Sequence, residues 1–125
     1  MRKRAEFERI QRGGARVQTA RFVLILARNV DGDGPTRLGV TASRKVGGAV
    51  VRNRAKRLVR AAFRETLDLF APGIDLVVIV RRSLAETRLA EVVAEWRGVQ
   101  NLVQRRVAGL LGAPSEPTKA RGIES

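Results

Sequence analysis

Directly after Pro72-Gly73, the stretch Ile74 to Val80 is apolar throughout except for Asp75. It is too short for a membrane span and lacks polar alternation, so it reads as a strand covered on both faces. Such a strand belongs in the interior of a sheet, and the rest of the chain has to supply its neighbours and covering layers. Ala15 to Ala27 passes from alternation at Val17 and Thr19 into the run Phe22-Val23-Leu24-Ile25-Leu26. This predicts one long strand, or two short ones broken near Gln18 to Ala20. Asp31-Gly32-Asp33-Gly34-Pro35 is a concentrated turn signal, and Arg37 to Ser43 alternates at Leu38, Val40 and Ala42. The pattern predicts a hairpin with Arg37 to Ser43 as its second strand.

Three helices complete the reading. Phe7 and Ile10 lie three apart within Glu6 to Gln11, ahead of Gly13-Gly14, and predict a short amphipathic helix. A long helix is predicted over Ala49 to Phe70, with Val51, Ala55, Leu58, Val59, Ala62, Thr66 and Leu69 on one face. Asn53, Arg57, Arg60 and Arg64 fall on the opposite face, with Lys56 at its edge. Thr87 to about Leu110 predicts a last helix, apolar at Leu89, Val92, Val93, Trp96, Val103 and Val107. Its acids, Glu86 and Glu91, come early, and Arg105 and Arg106 come late, as the helix dipole favours. The organisation expected is one domain over residues 1–111 and a disordered tail over 112–125, where Pro114 and Pro117 stand among few large apolar residues.

The 125 residues carry Lys+Arg 25 against Asp+Glu 12, a formal charge of +13. Only Lys3, Lys45, Lys56 and Lys119 among those cations are lysines. A chain so rich in planar, forked donors favours a polyanionic partner that accepts them, and nucleic acid fits best. The absence of Cys and His removes disulfides, thiolate zinc sites, thiol nucleophiles and the usual general base. No apolar run approaches the roughly 20 residues of a membrane-spanning helix, and the basic Met1 to Arg4 leads into no signal-peptide pattern. A cytoplasmic location is the expectation.

The cations cluster. Between Asp33 and Glu65 there is no acidic residue, while Arg37, Arg44, Lys45, Arg52, Arg54, Lys56, Arg57, Arg60 and Arg64 all lie there. A merely solvated helix face mixes signs, whereas like charges three and four residues apart repel by a few tenths of a kcal/mol each. An external anion is the natural counterpart. Gly47-Gly48 ahead of the helix lets backbone N–H groups approach such an anion beside Arg44 and Lys45, although a tight turn explains two glycines equally well. Asn53 either orients the arginines or reads a ribose hydroxyl, or is simply a polar surface residue.

The segment Arg44 to Arg64, with Arg52-Asn53-Arg54 at its centre and Lys56-Arg57 after it, closely resembles the signature helix of the bacterial ribonuclease P protein component. Phe22-Val23-Leu24, Leu38-Gly39-Val40 and Leu76-Val77-Val78-Ile79 stand where that family has strands, and the resemblance runs from about Phe7 to Val107. It implies an α/β (α+β) two-layer sandwich: a small mixed sheet of about four strands with three helices in the order α-β-β-β-α-β-α. It also implies a left-handed βαβ crossover, against the general right-handed rule.

By the same resemblance the protein is an accessory subunit without catalytic residues, and the catalytic RNA removes the 5′ leader of precursor tRNA with Mg2+ bound mainly by RNA. Partners are then the catalytic RNA and precursor tRNA, with no DNA or membrane. Carried over by position, Arg44, Lys45, Gly47, Gly48, Arg52, Asn53, Arg54, Lys56, Arg57, Arg60 and Arg64 contact the catalytic RNA. A cleft between the first helix and the sheet takes the leader, with Phe7 and Phe22 stacking on bases and Arg9, Arg12 and Arg81 following phosphates. On the residues alone, Phe7 and Phe22 serve equally well as core. Gln11 and Ile25 stand where many members carry further aromatics, which weakens stacking. Two other functions compete: a ribosome-associated or RNA-chaperone module without a role in cleavage, and a metal nuclease using Asp31, Asp33, Glu65 or Asp68.

Overall fold

A computed structural model describes residues 14–29, 36–70 and 72–112. The expected first helix, the Asp31–Pro35 turn and the tail after 112 lie outside the described residues. Within them, strands β1 (Ala15–Gln18), β2 (Phe22–Arg28), β3 (Arg37–Ala42) and β4 (Ile74–Val80) form one sheet in the order β1-β2-β4-β3. Helices α1 (Ala49–Glu65), α2 (Leu89–Arg97) and α3 (Gln100–Gly112) complete a mixed α+β fold. No described helix is long and apolar enough to cross a membrane.

β4 has the two neighbours its sequence demands, antiparallel β2 on one side and parallel β3 on the other. This corrects the hairpin predicted across Asp31–Pro35: β3 does not pair with β2, because β4 sits between them and α1 crosses over from β3 to β4. A turn signal reports only that the chain reverses. Which strand fills the gap is decided by burial, and β4, buried at every position but Ile79, gains most from being flanked. The actual hairpin is β1–β2, which settles the choice between one strand and two. Thr19 N donates to Phe22 O at 2.8 Å, and Thr19 Oγ1 accepts from Phe22 N at 3.1 Å.

Strand alternation sends Phe22, Leu24 and Leu26 of β2, and Ile74, Leu76, Val78 and Val80 of β4, into the main core. There they meet Ala55, Val59 and Ala62 of α1, Val92 and Trp96 of α2, and Val103 and Val107 of α3. Val51 and Leu58, placed on the same face of α1, are only half-buried. Ile25, Ala27 and Val77 make a smaller buried cluster on the other face of the sheet. Asp75, the one charge in β4, is fully buried and held by the Arg37 fork at 3.0 and 2.9 Å and by Asn29 Nδ2 at 3.1 Å. Arg37 is thereby neutralised within the fold and leaves the cationic block.

Both long helices are shorter than predicted. α1 ends at Glu65, where Thr66 leaves helical geometry and its Oγ1 donates to Ala62 O at 2.8 Å. A 3₁₀ turn, Leu67–Leu69, then carries Leu69 and Phe70 into the core. The last helix is two, broken at Gly98-Val99 and starting at Leu89, because Thr87 is buried and Glu91 Oε1 accepts from Arg88 N at 2.8 Å. Glycine weakens a helix by about 1 kcal/mol relative to alanine, and the break lets Trp96, Val103 and Val107 share one core.

Ion pairs of Arg97 with Asp68 and of Arg21 with Glu95 and, at 4.0 Å, Glu91 tie α2 down. Arg97 grips Asp68 at 2.5 and 2.9 Å and also donates to Glu65 O. Arg21 donates its backbone N to Glu95 at 2.8 Å and its guanidinium at 2.6 Å. Burial pushes the Glu95 carboxyl up, but hydrogen bonds from Thr19 and Arg21 outweigh it and hold the group below the usual glutamate value.

Candidate nucleic-acid interface

The approach to α1 is a built turn. Ser43 Oγ accepts from Lys45 N at 3.3 Å, a 3₁₀ turn covers Arg44–Val46, and buried Val46 pins it to the core while Arg44 and Lys45 stay exposed. Gly47 has φ 147° and ψ −171°, a conformation open essentially to glycine alone, and a Cβ there would lie 2.9 Å from Val51 Cβ. Gly48 is different: it is the N-cap of α1 with φ −71°, and nothing lies within 4 Å of where its Cβ would be. The turn therefore requires the first glycine and not the second. Serine separates the two. Gly47→Ser is expected to cost about 1–3 kcal/mol, whereas Gly48→Ser adds a capping hydroxyl and gains a few tenths. Urea denaturation of both variants measures the difference.

From this turn α1 runs with Asn53, Arg57, Arg60 and Arg64 exposed and Ala55, Val59 and Ala62 buried. Among the described residues no carboxylate lies within ion-pair distance of Arg57, Arg60 or Arg64. Asp68, Asp75 and Glu95 are engaged by Arg97, Arg37 and Arg21. The fold thus spends acids elsewhere and leaves this face uncompensated. Lys56 and Arg52 are half-buried at its margin, and Arg52 Nε is buried without a partner. Val50 stands 81% exposed in the first turn, an apolar contact surface beside the cations.

Two residues that the resemblance assigns to RNA are engaged within the fold, and of the two roles open to Phe22 the structure has the core one. Arg54 is not in the outward row: Nη1 donates to Leu84 O and Nη2 to Thr87 O at 2.9 Å, so its fork is engaged by main chain. Phe22 is fully buried with its ring edge-on to Trp96, 5.8 Å between centroids at 80°, and so cannot stack on a base. Strand parity assigns it to the helix-covered face. Phe7, Arg9 and Arg12 lie outside the described residues. Arg81 is exposed and lies beside the β1–β2 turn, where its N donates to Arg21 O at 2.8 Å and its Nη1 to Thr19 O at 3.0 Å.

Missed altogether was the connection following Arg81, where Arg82 and Arg88 are also exposed. The Arg81-Arg82 pair was a visible signal. As for the metal-nuclease reading, no group of three or more His, Cys, Asp or Glu side chains able to hold a metal occurs among the described residues. Asp31 and Asp33 lie outside them.

Comparison with known proteins agrees with this geometry. The Ribonuclease P family model matches residues 1–104. The ribonuclease P protein component of Syntrophus aciditrophicus is 39% identical over 95 residues, covering 76% of this chain and 78% of that one. Its counterpart in Geobacillus kaustophilus is 40% identical over 96 residues, 74% and 75% of the two chains. Among solved structures, the RNase P protein of Staphylococcus aureus superposes with TM-score 0.71 at 28% identity, covering 85% of this chain and 95% of that chain. That of Thermotoga maritima gives 0.69 at 33% identity, with 84% and 94% covered. With the fold, the helix signature and these matches in agreement, the chain belongs to the ribonuclease P protein component family.

Proposed function

We propose that this subunit binds the catalytic RNA of ribonuclease P along α1 and promotes Mg2+-dependent removal of the 5′ leader from precursor tRNA, the RNA being the catalyst. As a ribonuclease P protein component the chain is part of a ribonucleoprotein endoribonuclease of tRNA processing. The finer reading is carried by one observation: Arg57, Arg60 and Arg64 line the exposed side of a helix with no carboxylate against them among the described residues. Their mutual repulsion is relieved when a phosphate backbone lies across them, and the released counterions make binding salt-dependent. Exposed Arg44 and Lys45, with the uncapped first turn of α1, add donors at one end of that line.

The protein's contribution is to position and neutralise. Concentrating positive charge beside the substrate's phosphates lowers the repulsion that folded RNA and leader otherwise present to each other, so less Mg2+ is needed to hold the reacting assembly. In this reading Mg2+ sits on the RNA. The leader runs over the face of the sheet opposite the core, where the half-buried Val23 and Ile79 flank the second cluster; with Phe22 in the core, that path relies on Arg81 and the sheet surface. The decisive experiment adds the protein to a bacterial ribonuclease P RNA and follows precursor tRNA cleavage across Mg2+ concentrations. The expected result is a lower Mg2+ requirement. An unchanged cleavage profile at every concentration sinks the reading.

A further inference from the structure

We propose that Arg54 is a positioning residue: its fork clamps the connection between β4 and α2 against α1, so that Arg82 and Arg88 extend the cationic face to a second line of phosphates on the same RNA. The inference rests on the reading that α1 binds RNA. It departs from the expectation that every arginine of Arg52-Asn53-Arg54 touches that RNA directly.

Arg54 lies three residues before Arg57, about 60° around the helix from it, on the flank of the exposed face. Its two terminal nitrogens donate to the carbonyls of Leu84 and Thr87. Those carbonyls belong to one turn, closed by Thr87 N donating to Leu84 O at 3.1 Å. Leu84 is fully buried and Thr87 is 7% exposed, so the turn is anchored from below by the core and from the side by the guanidinium.

A planar fork can span two carbonyls; an ammonium, a point charge, cannot do so with the same geometry. Hydrogen bonds from a charged donor are also stronger than neutral ones. With both terminal nitrogens engaged, Arg54 is poorly placed to grip a phosphate at the same time.

What the clamp holds is basic. Arg82 and Arg88 bracket the anchored turn, both are exposed, and neither has a carboxylate within ion-pair distance among the described residues. Elsewhere the fold neutralises its arginines, at Arg21 with Glu95 and at Arg97 with Asp68. The connection has one acid, Glu86, which is exposed and pairs with neither. Fixed beside α1 by Arg54, Arg82 and Arg88 widen a single helix face into a two-sided cationic surface. A folded RNA, which presents more than one backbone strand, suits such a surface better than a single extended strand does.

The test compares Arg54→Lys, Arg54→Ala, Arg82→Ala/Arg88→Ala and the combination of Arg54→Lys with that pair, using a bacterial ribonuclease P RNA transcript over a salt series. Hydrogen exchange of the RNA-free protein is measured alongside. Arg54→Lys, which keeps the charge, is expected to lose as much affinity as Arg54→Ala and to deprotect the amides of residues 84–88. The Arg82→Ala/Arg88→Ala pair is expected to lose about four- to fivefold per cation at physiological salt, and to flatten the dependence of log affinity on log salt by about 0.7–0.9 per cation. Adding Arg54→Lys to the pair costs nothing further.

Full affinity in Arg54→Lys, strict additivity with the pair, or unchanged exchange at 84–88 overturns the inference. If Arg54→Ala fails to fold, the Arg82→Ala/Arg88→Ala pair still decides: wild-type affinity and slope in that variant overturn it. Arg57→Ala is the control that separates this failure from the larger one. If Arg57→Ala binds as wild type, the RNA-binding reading of α1 falls and this inference with it. If Arg57→Ala weakens binding while the pair does not, only the present inference falls.

Discussion

Trp96→Ala is expected to lower the free energy of unfolding by about 3–5 kcal/mol, a large part of the roughly 5–15 kcal/mol that a domain of this kind possesses. The indole is fully buried and meets Phe22 edge-on at 5.8 Å and Phe70 edge-on at 6.4 Å. Those three rings join the start of β2, the turn after α1 and the last turn of α2, elements far apart in the chain. Removing the largest of them opens a cavity that rigid strands on one side cannot close. Trp96 Nε1 is buried without a partner, so part of the native contact energy already offsets an unmade hydrogen bond. Trp96→Phe removes that penalty with much of the ring retained, and should cost less than half as much as alanine. Urea denaturation reads both values. A change under about 1 kcal/mol for alanine means that the three rings do not form one packed unit.

The same three rings mark where sequence reading succeeded and where it stopped. Apolar spacing placed Trp96 in the core directly, and Ile74 to Val80 was legible as an interior strand because burial on both faces leaves no polar alternation. Phe22-Val23-Leu24-Ile25-Leu26 was legible as a strand, but as an unbroken apolar run it carries no polar alternation to tell one face from the other. Which face the helices cover is not written in that run, so the two roles of Phe22, stacking in a cleft by the resemblance and packing by residue type, are equally open until the fold sets its ring against Trp96 of α2. The partner of β3 was illegible for a related reason. Asp31 to Pro35 announces a reversal, but the pairing of β3 with β4 joins residues almost 40 positions apart in the register Arg37↔Asp75, and no local signal encodes that.

Helix ends were misjudged at Thr66 and Gly98, residues that helices tolerate at modest cost and that only tertiary packing turns into stops. In the candidate interface, the cationic cluster was visible as composition, and the exposed positions of Arg57, Arg60 and Arg64 followed from helical spacing. Helical spacing leaves Arg54 off that row, and only the resemblance assigns it to RNA. Its partners are main-chain carbonyls, which carry no residue signature at all.

Arg57→Ala/Arg60→Ala/Arg64→Ala is expected to weaken binding of the catalytic RNA by about 50- to 170-fold at physiological salt, and to flatten the log-log salt slope by about 2.1–2.7, if each side chain neutralises one phosphate. The stability of the RNA-free protein should move in the opposite direction or not at all. All three side chains are exposed, none has a carboxylate partner among the described residues, and each like-charged neighbour removed relieves a few tenths of a kcal/mol. This opposition of sign is the informative part. A residue that serves the fold loses stability and binding together, as Trp96→Ala should, and saturating RNA then restores much of the lost stability by mass action. A residue kept for its partner loses binding alone. Binding across a salt series, with thermal melting of the RNA-free variant, separates the cases: a wild-type salt slope would show that the RNA lies elsewhere. Loss of cooperative melting would show that these arginines support the fold, which their exposure on α1 argues against.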